Sequence, residues 1–452
     1  MNFEEGTMPV AMTKGTLSPK LSKVAERAKR EPEGRFYALA YLIDEEALLR
    51  SYQRIRRDAA VGIDGVTKEA YGENLETNLR DLHGRMKSMR YRHQPLRRVE
   101  IPKEGGKTRS LGISSMEDKI VQDSLRETME AIYEQDFLDC SYGFRRGRRA
   151  HDALRALNEA NGRGELNFVL EADIEGFFDN IDRKHLRTML EKRIADGSFH
   201  RLIGKCLHVG VLLGQEYSEP ETGTPQGSIL SPLLGNVYLH YVLDDWFERT
   251  VKPRLKGRAC LIRYCDDFVI GFELEDDALR VNTVLHQRME RFGLRLHPEK
   301  TRLLDFRRPR REEGTSFRQQ QQTFDFLGFT VYWQRTRKGR YGLRFKTRKA
   351  RVAKALNAIY DFCRRQRHES VRDQHAALRR RLMGHYNYFG VNGNARSLRI
   401  VCHQARRTWF RWLCRRSQRK RLNWQRYLDL LRDFPLPEPR LRVQIWQPNS
   451  TL

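Results

Sequence analysis

The sequence predicts an α+β fold that continues into an all-helical segment, and three patterns carry this prediction. Residues 168–174, FVLEADI, form an apolar run with the length and composition of a buried strand. Two more apolar runs, 261–265 and 268–272, are joined by a pair of aspartates and predict a hairpin. From residue 352 to residue 412, apolar side chains recur at helical spacing, with arginine and lysine on the opposite faces.

Local composition predicts the other elements in chain order. Residues 1–34 are polar and rich in lysine and glutamate, which predicts a flexible N-terminal arm. Residues 35–90 are predicted to be helical, with a loop at 61–67 that contains two glycines. The remaining predictions are a β-hairpin at 97–113 turning at Gly105-Gly106, helices at 116–136, 150–160, 182–195 and 276–292, a strand at 324–333 and an extended tail at 431–452.

The positive charge of the chain is concentrated in one segment. The 452 residues include 85 Lys and Arg against 58 Asp and Glu, a formal net charge of +27. Residues 331–430 alone hold 28 basic and 4 acidic residues, so the rest of the chain is nearly balanced. A merely solvated helix face usually mixes both signs of charge, so this imbalance favours contact with a polyanion such as a nucleic acid.

Composition also excludes several classes of protein. A hydrophobic fraction of 39% is too high for a disordered chain. No apolar run approaches the roughly 18 residues of a membrane span, and the acidic N-terminus does not resemble a secretory signal. The seven cysteines form no CxxC pair and no zinc spacing, which favours a reducing, cytoplasmic compartment.

Three aspartates are the candidates for chemistry. Asp173 ends the predicted strand 168–174, and Asp266-Asp267 lies at the tip of the predicted hairpin. If both elements lie in one sheet, the three carboxylates converge, and like charges that close are usually compensated by a divalent metal ion. The alternative is that Asp266-Asp267 is ordinary turn chemistry, because aspartate is common in turns.

The blocks around these aspartates resemble the motifs of a known family. Residues 264–267, TyrCysAspAsp, resemble the YxDD box of reverse transcriptases, and residues 226–232 match the family's QGxxxSP motif. Residues 173–181 resemble the block that carries the first catalytic aspartate. Further matches in the family's order lie at 141–145, 296–301 and 326–329, while 62–66 and 384–390 resemble motifs of the reverse transcriptase/maturases encoded by bacterial group II introns.

This resemblance implies a right-hand polymerase with a helical thumb and maturase (X) domain. It divides the chain into the arm 1–34, an N-terminal extension at 35–90, fingers and palm at 91–333, thumb and X domain at 334–430 and the tail 431–452. Relatives with a homing endonuclease carry a further His/Asn and Cys-rich module, which this sequence lacks. The expectation is therefore that the protein does not cleave the second target strand.

The resemblance also assigns roles to individual residues. Asp173, Asp266 and Asp267, with Ile174, would bind two Mg²⁺ ions, or Mn²⁺ in their place, and Lys300 would protonate the leaving pyrophosphate. The proposed dNTP pocket consists of Lys103, Arg109, Ile174, Phe178, Gln226 and Gly227, and the primer grip consists of Phe326, Leu327 and Gly328.

Three of these assignments carry a physical reason or an open alternative. Arg109 would hold the triphosphate by a bidentate fork and Lys103 as a point charge, whereas Lys107 is either a third contact or a solvated turn residue. A bulky Phe178 would leave no room for a ribose 2′-hydroxyl, although one ring of Phe177 and Phe178 must be a core aromatic. Cys265 replaces the alanine of many intron-encoded relatives and is predicted to be a buried, inert thiol.

The implied function is RNA-templated DNA synthesis from a DNA primer and dNTPs, together with maturase assistance to a parent intron RNA. Trp409, Trp412, Tyr386 and Tyr388 are candidates for stacking on RNA bases, with core packing as their alternative. A first rival function is a domesticated reverse transcriptase in phage defence or DNA repair. A rival of another class is an RNA-binding splicing factor without polymerase activity, which three intact aspartates argue against.

Overall fold

The computed structural model of the chain describes residues 17–102, 108–213, 216–218, 222–309, 322–336, 339–416 and 422–446. Most of these residues are helical, and the predicted helices at 116–136, 150–160 and 276–292 are confirmed to within two residues. The α-helices are α1 (Pro19–Arg30), α2 (Glu45–Arg54), α3 (Lys68–Gly72), α4 (Leu75–Lys87), α5 (Met116–Asp136), α6 (Ala150–Gly162), α7 (Phe177–Asn180), α8 (Arg183–Glu191), α9 (Gly197–Leu207), α10 (Ser231–Leu239), α11 (Glu275–Arg291), α12 (Lys349–Arg365), α13 (Val371–Phe389), α14 (Ala395–Cys414) and α15 (Trp424–Asp433).

The strands form three sheets. The first has the order β2-β1-β4-β5, the second β6-β7-β3-β8 and the third β11-β10-β9. The strands are β1 (Leu96–Pro102), β2 (Thr108–Ile113), β3 (Phe168–Asp173), β4 (Val211–Leu213), β5 (Glu216–Ser218), β6 (Ala259–Tyr264), β7 (Asp267–Phe272), β8 (Arg302–Asp305), β9 (Phe324–Phe326), β10 (Phe329–Arg335) and β11 (Tyr341–Thr347). The strand pairing of both predicted hairpins is confirmed, since β1 pairs with β2 and β6 pairs with β7, each antiparallel. The predicted turn at Gly105-Gly106 lies outside the described residues.

The second sheet, which we call the palm sheet, lies between two apolar cores. Along β3, Leu170 packs into a core shared with α5, α8 and α11, whereas its neighbour Val169 packs into a core shared with α6 and α12–α14. Successive side chains of a strand point to opposite faces, so each strand of this sheet feeds both cores. This explains why its strands are continuous apolar runs without polar alternation.

The prediction of a flexible arm at residues 1–34 is wrong for the part that the structure describes. Residues 19–30 form α1, which is capped by the Ser18 side chain and packs against α5. Its buried residues are Leu21 and Ala28, and the buried Arg193 guanidinium donates to the Ala28 carbonyl. The segment is polar overall, but its few apolar residues lie on one narrow face of an amphipathic helix, and this face packs against α5.

The segment after residue 324 also differs from its prediction. The expected single strand at 324–333 is two antiparallel strands, β9 and β10, joined by a turn at Leu327-Gly328. Residues 341–347 form β11, so the predicted domain boundary at 333/334 cuts through a sheet, and the helices begin only at Lys349. The predicted extended tail instead begins inside α15 and continues as a strand-like segment in which Leu436 and Ile445 are buried.

Candidate functional site

The candidate site lies at one end of the palm sheet, where β3 and β7 end side by side. Asp173 and Asp267 are direct partners in the antiparallel register of these strands. Direct partners project to the same face of a sheet, with Cβ atoms about 5 Å apart. Asp266 lies in the two-residue turn between β6 and β7, directly before Asp267, which is the first residue of β7. The sheet therefore brings the three predicted aspartates together.

Burial and the closeness of the three carboxylates raise the pKa of Asp267. Desolvation raises its pKa first, and the charges of Asp266 and Asp173 raise it further, to about 8. A hydrogen bond from the Leu327 amide, which donates to Asp267 Oδ2 at a long distance of 3.4 Å, opposes this shift. The raised pKa of Asp267 therefore marks a concentration of negative charge at this end of the sheet.

Lys300 partly compensates this charge from the opposite side. Its Nζ donates to Asp173 Oδ2 at 2.5 Å. The position of Lys300 follows from a turn at residues 297–301, in which the Lys300 and Thr301 amides both donate to the His297 carbonyl. The same turn is tied to β3, because the His297 amide donates to the Asp173 carbonyl at 2.8 Å.

The donor set fits a divalent, oxygen-seeking cation such as Mg²⁺. The available ligands are carboxylate oxygens, and a cation would relieve the raised pKa of Asp267. Across the described part of the chain, no three His, Cys, Asp or Glu side chains converge as a ready-made metal cage. Instead, the ammonium group of Lys300 is paired with the Asp173 carboxylate. A metal ion bound by Asp173 would have to share this carboxylate with Lys300 or displace the ammonium group. Ile174 is buried beside Asp173 and bridges to Leu296.

A buried arginine fixes the turn that carries Asp266. The Arg263 guanidinium is fully buried and forms two charge-assisted bonds with Asp244, at 2.7 and 2.5 Å. Its Nη1 also donates to the Cys265 carbonyl at 3.0 Å. Cys265 has a φ of 59°, which is costly for a residue with a side chain, so this bond supports a strained turn.

Two neighbours complete the enclosure of this turn. The Asn236 amide accepts a bond from Arg263 Nη1 and donates to the Gly143 carbonyl at 2.7 Å. Gly143 lies so close to the turn that a Cβ at this position would stand 2.5 Å from the Cys265 nitrogen. Residues 141–145 therefore pack directly against this turn, and any larger residue at 143 would displace the turn.

The structure separates the two phenylalanines that the sequence left undecided. Phe177 is buried in the core, whereas Phe178 is half-buried and packs on Phe177 with ring centroids 5.1 Å apart. The Phe178 carbonyl accepts a bond from the Thr224 amide at 2.7 Å, which ties this ring to the loop before Gln226. Phe177 is thus the core ring, and Phe178 is the more exposed of the two.

Gln226 and Gly227 link the palm to the first sheet. The Gln226 side-chain amide donates to both carboxylate oxygens of Asp179, at 2.7 and 2.6 Å. The backbone carbonyl of Gln226 accepts a bond from the Gly112 amide. Gly227 has a φ of 104°, and a Cβ there would stand 2.6 Å from the Gly112 carbonyl. Only glycine allows this approach of loop and strand β2.

Some of the residues predicted to contact the triphosphate in the first sheet lie outside the described part of the chain. Lys103 and Lys107 lie outside the described residues, and of Arg109 only the backbone, paired with Ile101, is described. These three assignments stay predictions. The three residues predicted to form a primer grip, Phe326, Leu327 and Gly328, lie at the turn between β9 and β10, beside Asp267.

Of the two roles that the sequence leaves open for four aromatic residues, RNA stacking and core packing, the structure favours core packing for three. Tyr386, Trp409 and Trp412 are buried in the apolar core of the helical segment. Trp409 also uses its indole Nε1–H internally, donating to Gln374 at 3.0 Å. Tyr388 is half-buried and hydrogen-bonded to the Leu327 carbonyl. Helical spacing of these aromatics had indicated the alternative, core packing.

Sequence reasoning missed the residues that hold the turn in place. The motifs assign no role to Arg263, Asp244 or Asn236. A usable signal was present: a charged residue inside the otherwise apolar run 259–265 must be buried with a partner. The sequence could not identify that partner, because Asp244 lies 19 residues earlier, in a π-helical turn at residues 240–244.

Comparisons with known proteins agree on one family. A family model described as "Reverse transcriptase (RNA-dependent DNA polymerase)" matches residues 101–331. Protein YkfC of Escherichia coli (strain K12) is 31% identical over 364 residues, covering 72% of this chain and 90% of YkfC. Group II intron-encoded protein LtrA of Lactococcus lactis subsp. cremoris is 36% identical over 222 residues, covering 49% of this chain and 36% of LtrA. An uncharacterized 91 kDa protein in the cob intron of Schizosaccharomyces pombe is 35% identical over 232 residues, covering 51% of this chain and 28% of that protein.

Proposed function

The chain belongs to the reverse transcriptase family, of the group II intron type, and from that premise we propose that it copies RNA into DNA by two-metal phosphoryl transfer and acts as a maturase for an intron RNA. The observation that carries the catalytic part is the cross-strand pair Asp173–Asp267, with the pKa of Asp267 raised to about 8. Such a carboxylate pair is suited to metal ions rather than to structural pairing. The chain spans about a third of the two intron-encoded relatives, so the substrates of the whole protein belong to this proposal.

In this mechanism each residue has a specific task. Asp173, Asp266 and Asp267, with Ile174, would hold Mg²⁺, which when bound activates the primer 3′-hydroxyl and neutralises the triphosphate. Lys300, already in contact with Asp173, would carry a proton at Nζ beside the leaving pyrophosphate. Residues 226–227 would border the nucleotide, and the turn at Leu327-Gly328 would support the primer end.

Primer extension on poly(rA)/oligo(dT) with dTTP and Mg²⁺ tests the proposal. The wild-type protein is expected to extend the primer, and both EDTA and Asp266→Ala are expected to reduce incorporation to background. Equal incorporation by the wild type and Asp266→Ala would refute the polymerase assignment and favour an RNA-binding splicing factor.

Phe178→Ala is expected to weaken discrimination between dNTP and NTP by about 100-fold. The half-buried ring rests on the core residue Phe177, so it cannot retreat from a 2′-hydroxyl. Phe178→Tyr retains the bulk and serves as the matched control. The ratio of kcat/KM for dTTP and UTP is the measurement, and an unchanged ratio in Phe178→Ala would remove Phe178 from this role.

The basic segment supports the RNA-binding part of the proposal. Along α14, Arg396, Arg399, His403, Arg407 and Arg411 are exposed at intervals of three or four residues and share one face. None of these four arginines forms a salt bridge with a residue that the structure describes. Unpaired arginines in a stripe are suited to a phosphate backbone.

The triple substitution Arg399→Gln, Arg407→Gln and Arg411→Gln is expected to weaken RNA binding and flatten its salt dependence. Each lost phosphate contact lowers the slope of log K against log salt by about 0.7 to 0.9. The matched control replaces by glutamine three exposed arginines outside the basic segment, Arg80, Arg187 and Arg249. Equal slopes for the two variants would argue against the α14 stripe as the RNA-binding surface.

The rival within the same class, a domesticated enzyme in phage defence or DNA repair, shares the catalytic site. RNA crosslinked to the purified protein distinguishes the two. Recovery of one structured intron RNA favours the maturase, whereas recovery of unrelated RNAs favours the domesticated enzyme.

A further inference from the structure

The turn at Leu327-Gly328 is held from two sides at once. On the palm side, the Leu327 amide donates to Asp267 Oδ2 at 3.4 Å. On the helical side, the Tyr388 hydroxyl donates to the Leu327 carbonyl at 3.0 Å, and the Arg348 amide donates to the Gly328 carbonyl at 3.0 Å. The same peptide turn therefore connects a catalytic carboxylate with the start of α12 and the end of α13.

The backbone of this turn gives it a defined geometry. Leu327 and Gly328 both have positive φ, 52° and 77°, as in the two-residue turns that match the twist of a hairpin. A leucine in this region costs of order 1 kcal/mol and needs support from its surroundings. The Tyr388 hydroxyl supplies that support, because the Leu327 carbonyl is its acceptor.

Tyr388 is itself fixed by contacts on three sides. Its ring stacks on Phe329 at 5.9 Å and packs edge-on against Phe389 at 4.8 Å. Its carbonyl is bound by His151 Nε2 at 2.7 Å, so α6 anchors the end of α13 to the palm. A side chain this constrained sets the position of the atom it contacts, rather than following it.

We propose that Tyr388 is a positioning residue of the polymerase site, which sets the primer-grip turn and, through the Leu327 amide, the Asp267 carboxylate. The helical segment thereby contributes to catalysis as well as to RNA binding, since α12 and α13 hold one side of the turn. The catalytic consequence of this inference rests on the proposed polymerase function. The hydrogen bond between the Tyr388 hydroxyl and the Leu327 carbonyl can be tested independently of that function.

Tyr388→Phe is a clean test, because it removes one oxygen atom and keeps the ring packing. Tyr386→Phe is the matched control: it deletes a buried hydroxyl two residues earlier on the same helix that does not contact the turn. Two measurements are needed on the full-length protein. One is hydrogen exchange of the peptide covering 322–331, and the other is the single-turnover rate of dTTP incorporation per titrated active site.

The expected result for Tyr388→Phe is at least a threefold increase in exchange of that peptide and a three- to tenfold lower incorporation rate, the effect of about one hydrogen bond. The Mg²⁺ midpoint should shift as well, while KM for dTTP and the melting temperature stay close to those of Tyr386→Phe. A merely structural role would lower the melting temperature and leave the rate per active site unchanged. Exchange equal to that of Tyr386→Phe overturns the inference whatever the polymerase assay gives. A wild-type protein that fails to extend the primer overturns the proposed function instead.

Discussion

Asp267→Asn is expected to lower primer extension by at least about a thousandfold while making the metal-free protein more stable at pH 8. The substitution removes a charge that metal ligation requires, and loss of one electrostatic element of an active site commonly costs two to three orders of magnitude. The gain in stability arises because the wild-type carboxylate is desolvated and lies beside Asp266 and Asp173. Catalysis and stability therefore place opposite demands on this residue.

The sign of the pH dependence follows from the raised pKa of Asp267. In the unfolded chain an aspartate titrates near 4, whereas in the folded protein Asp267 titrates near 8. Between these values the native state binds more protons, so the wild type loses stability as the pH rises. Asparagine does not titrate, so the stability difference between variant and wild type should grow from pH 4 to pH 8 and then level off.

Urea unfolding in EDTA at pH 5 and pH 8 measures this difference. We expect about 1–3 kcal/mol in favour of Asp267→Asn at pH 8, discounted for the half-buried position of the carboxylate, and less at pH 5. Added Mg²⁺ should reduce the difference, because it binds only the native wild-type site. Asp81→Asn, which changes an exposed carboxylate on α4, is the control. Equal pH dependence for the two variants would mean that Asp267 is not electrostatically strained.

Arg263→Met is expected to have the largest effect on stability, lowering the free energy of unfolding by about 3–5 kcal/mol. The substitution leaves the fully buried Asp244 carboxylate without its charged partner, a situation that costs several kcal/mol. It also removes the donor to the Cys265 carbonyl, so incorporation per folded molecule should fall as well. Chemical denaturation and active-site-titrated primer extension measure these two effects separately.

The double variant Arg263→Met/Asp244→Leu separates the two effects. Replacing both partners removes the unpaired charge and should restore most of the stability, as for other buried pairs. The Cys265 carbonyl still lacks its donor, so the rate should stay low. Arg193→Met is the control, because Arg193 is almost as buried and pairs with Asp136 away from the turn. A double variant with the wild-type rate would contradict the role of Arg263 in the turn.

The core of the site was predictable because it depends on local patterns. A strand covered on both faces must be apolar, so 168–174 and 261–272 were recognisable, and aspartates at their ends had to meet if the strands paired. The fold of α1 and the turn at Leu327-Gly328 were not predicted. An amphipathic helix of mixed charge resembles a flexible arm by composition, and FDFLGFTVYW contains no Asn-Gly or Asp-Gly signal for a tight turn.

The supporting contacts could not be predicted at all, since they join residues distant in sequence. Arg263 and Asp244 are brought into contact only by the tertiary fold, and Tyr388 is hydrogen-bonded to Leu327, 61 residues away in sequence. Family motifs identified the residues that perform chemistry. They gave no indication of the hydrogen bonds that hold those residues in place.

The palm sheet, with an apolar core on each face, makes the two halves of the chain interdependent for folding. Val169 and Ile262 belong to the same apolar core as Ile359, Leu378 and Trp409, so the helices after residue 348 complete a core that begins on one face of the palm sheet. A chain ending before α12 would expose the rest of that core to water and invite aggregation. The basic helical segment is consequently not a detachable module: the palm sheet and these helices are expected to unfold in one cooperative transition.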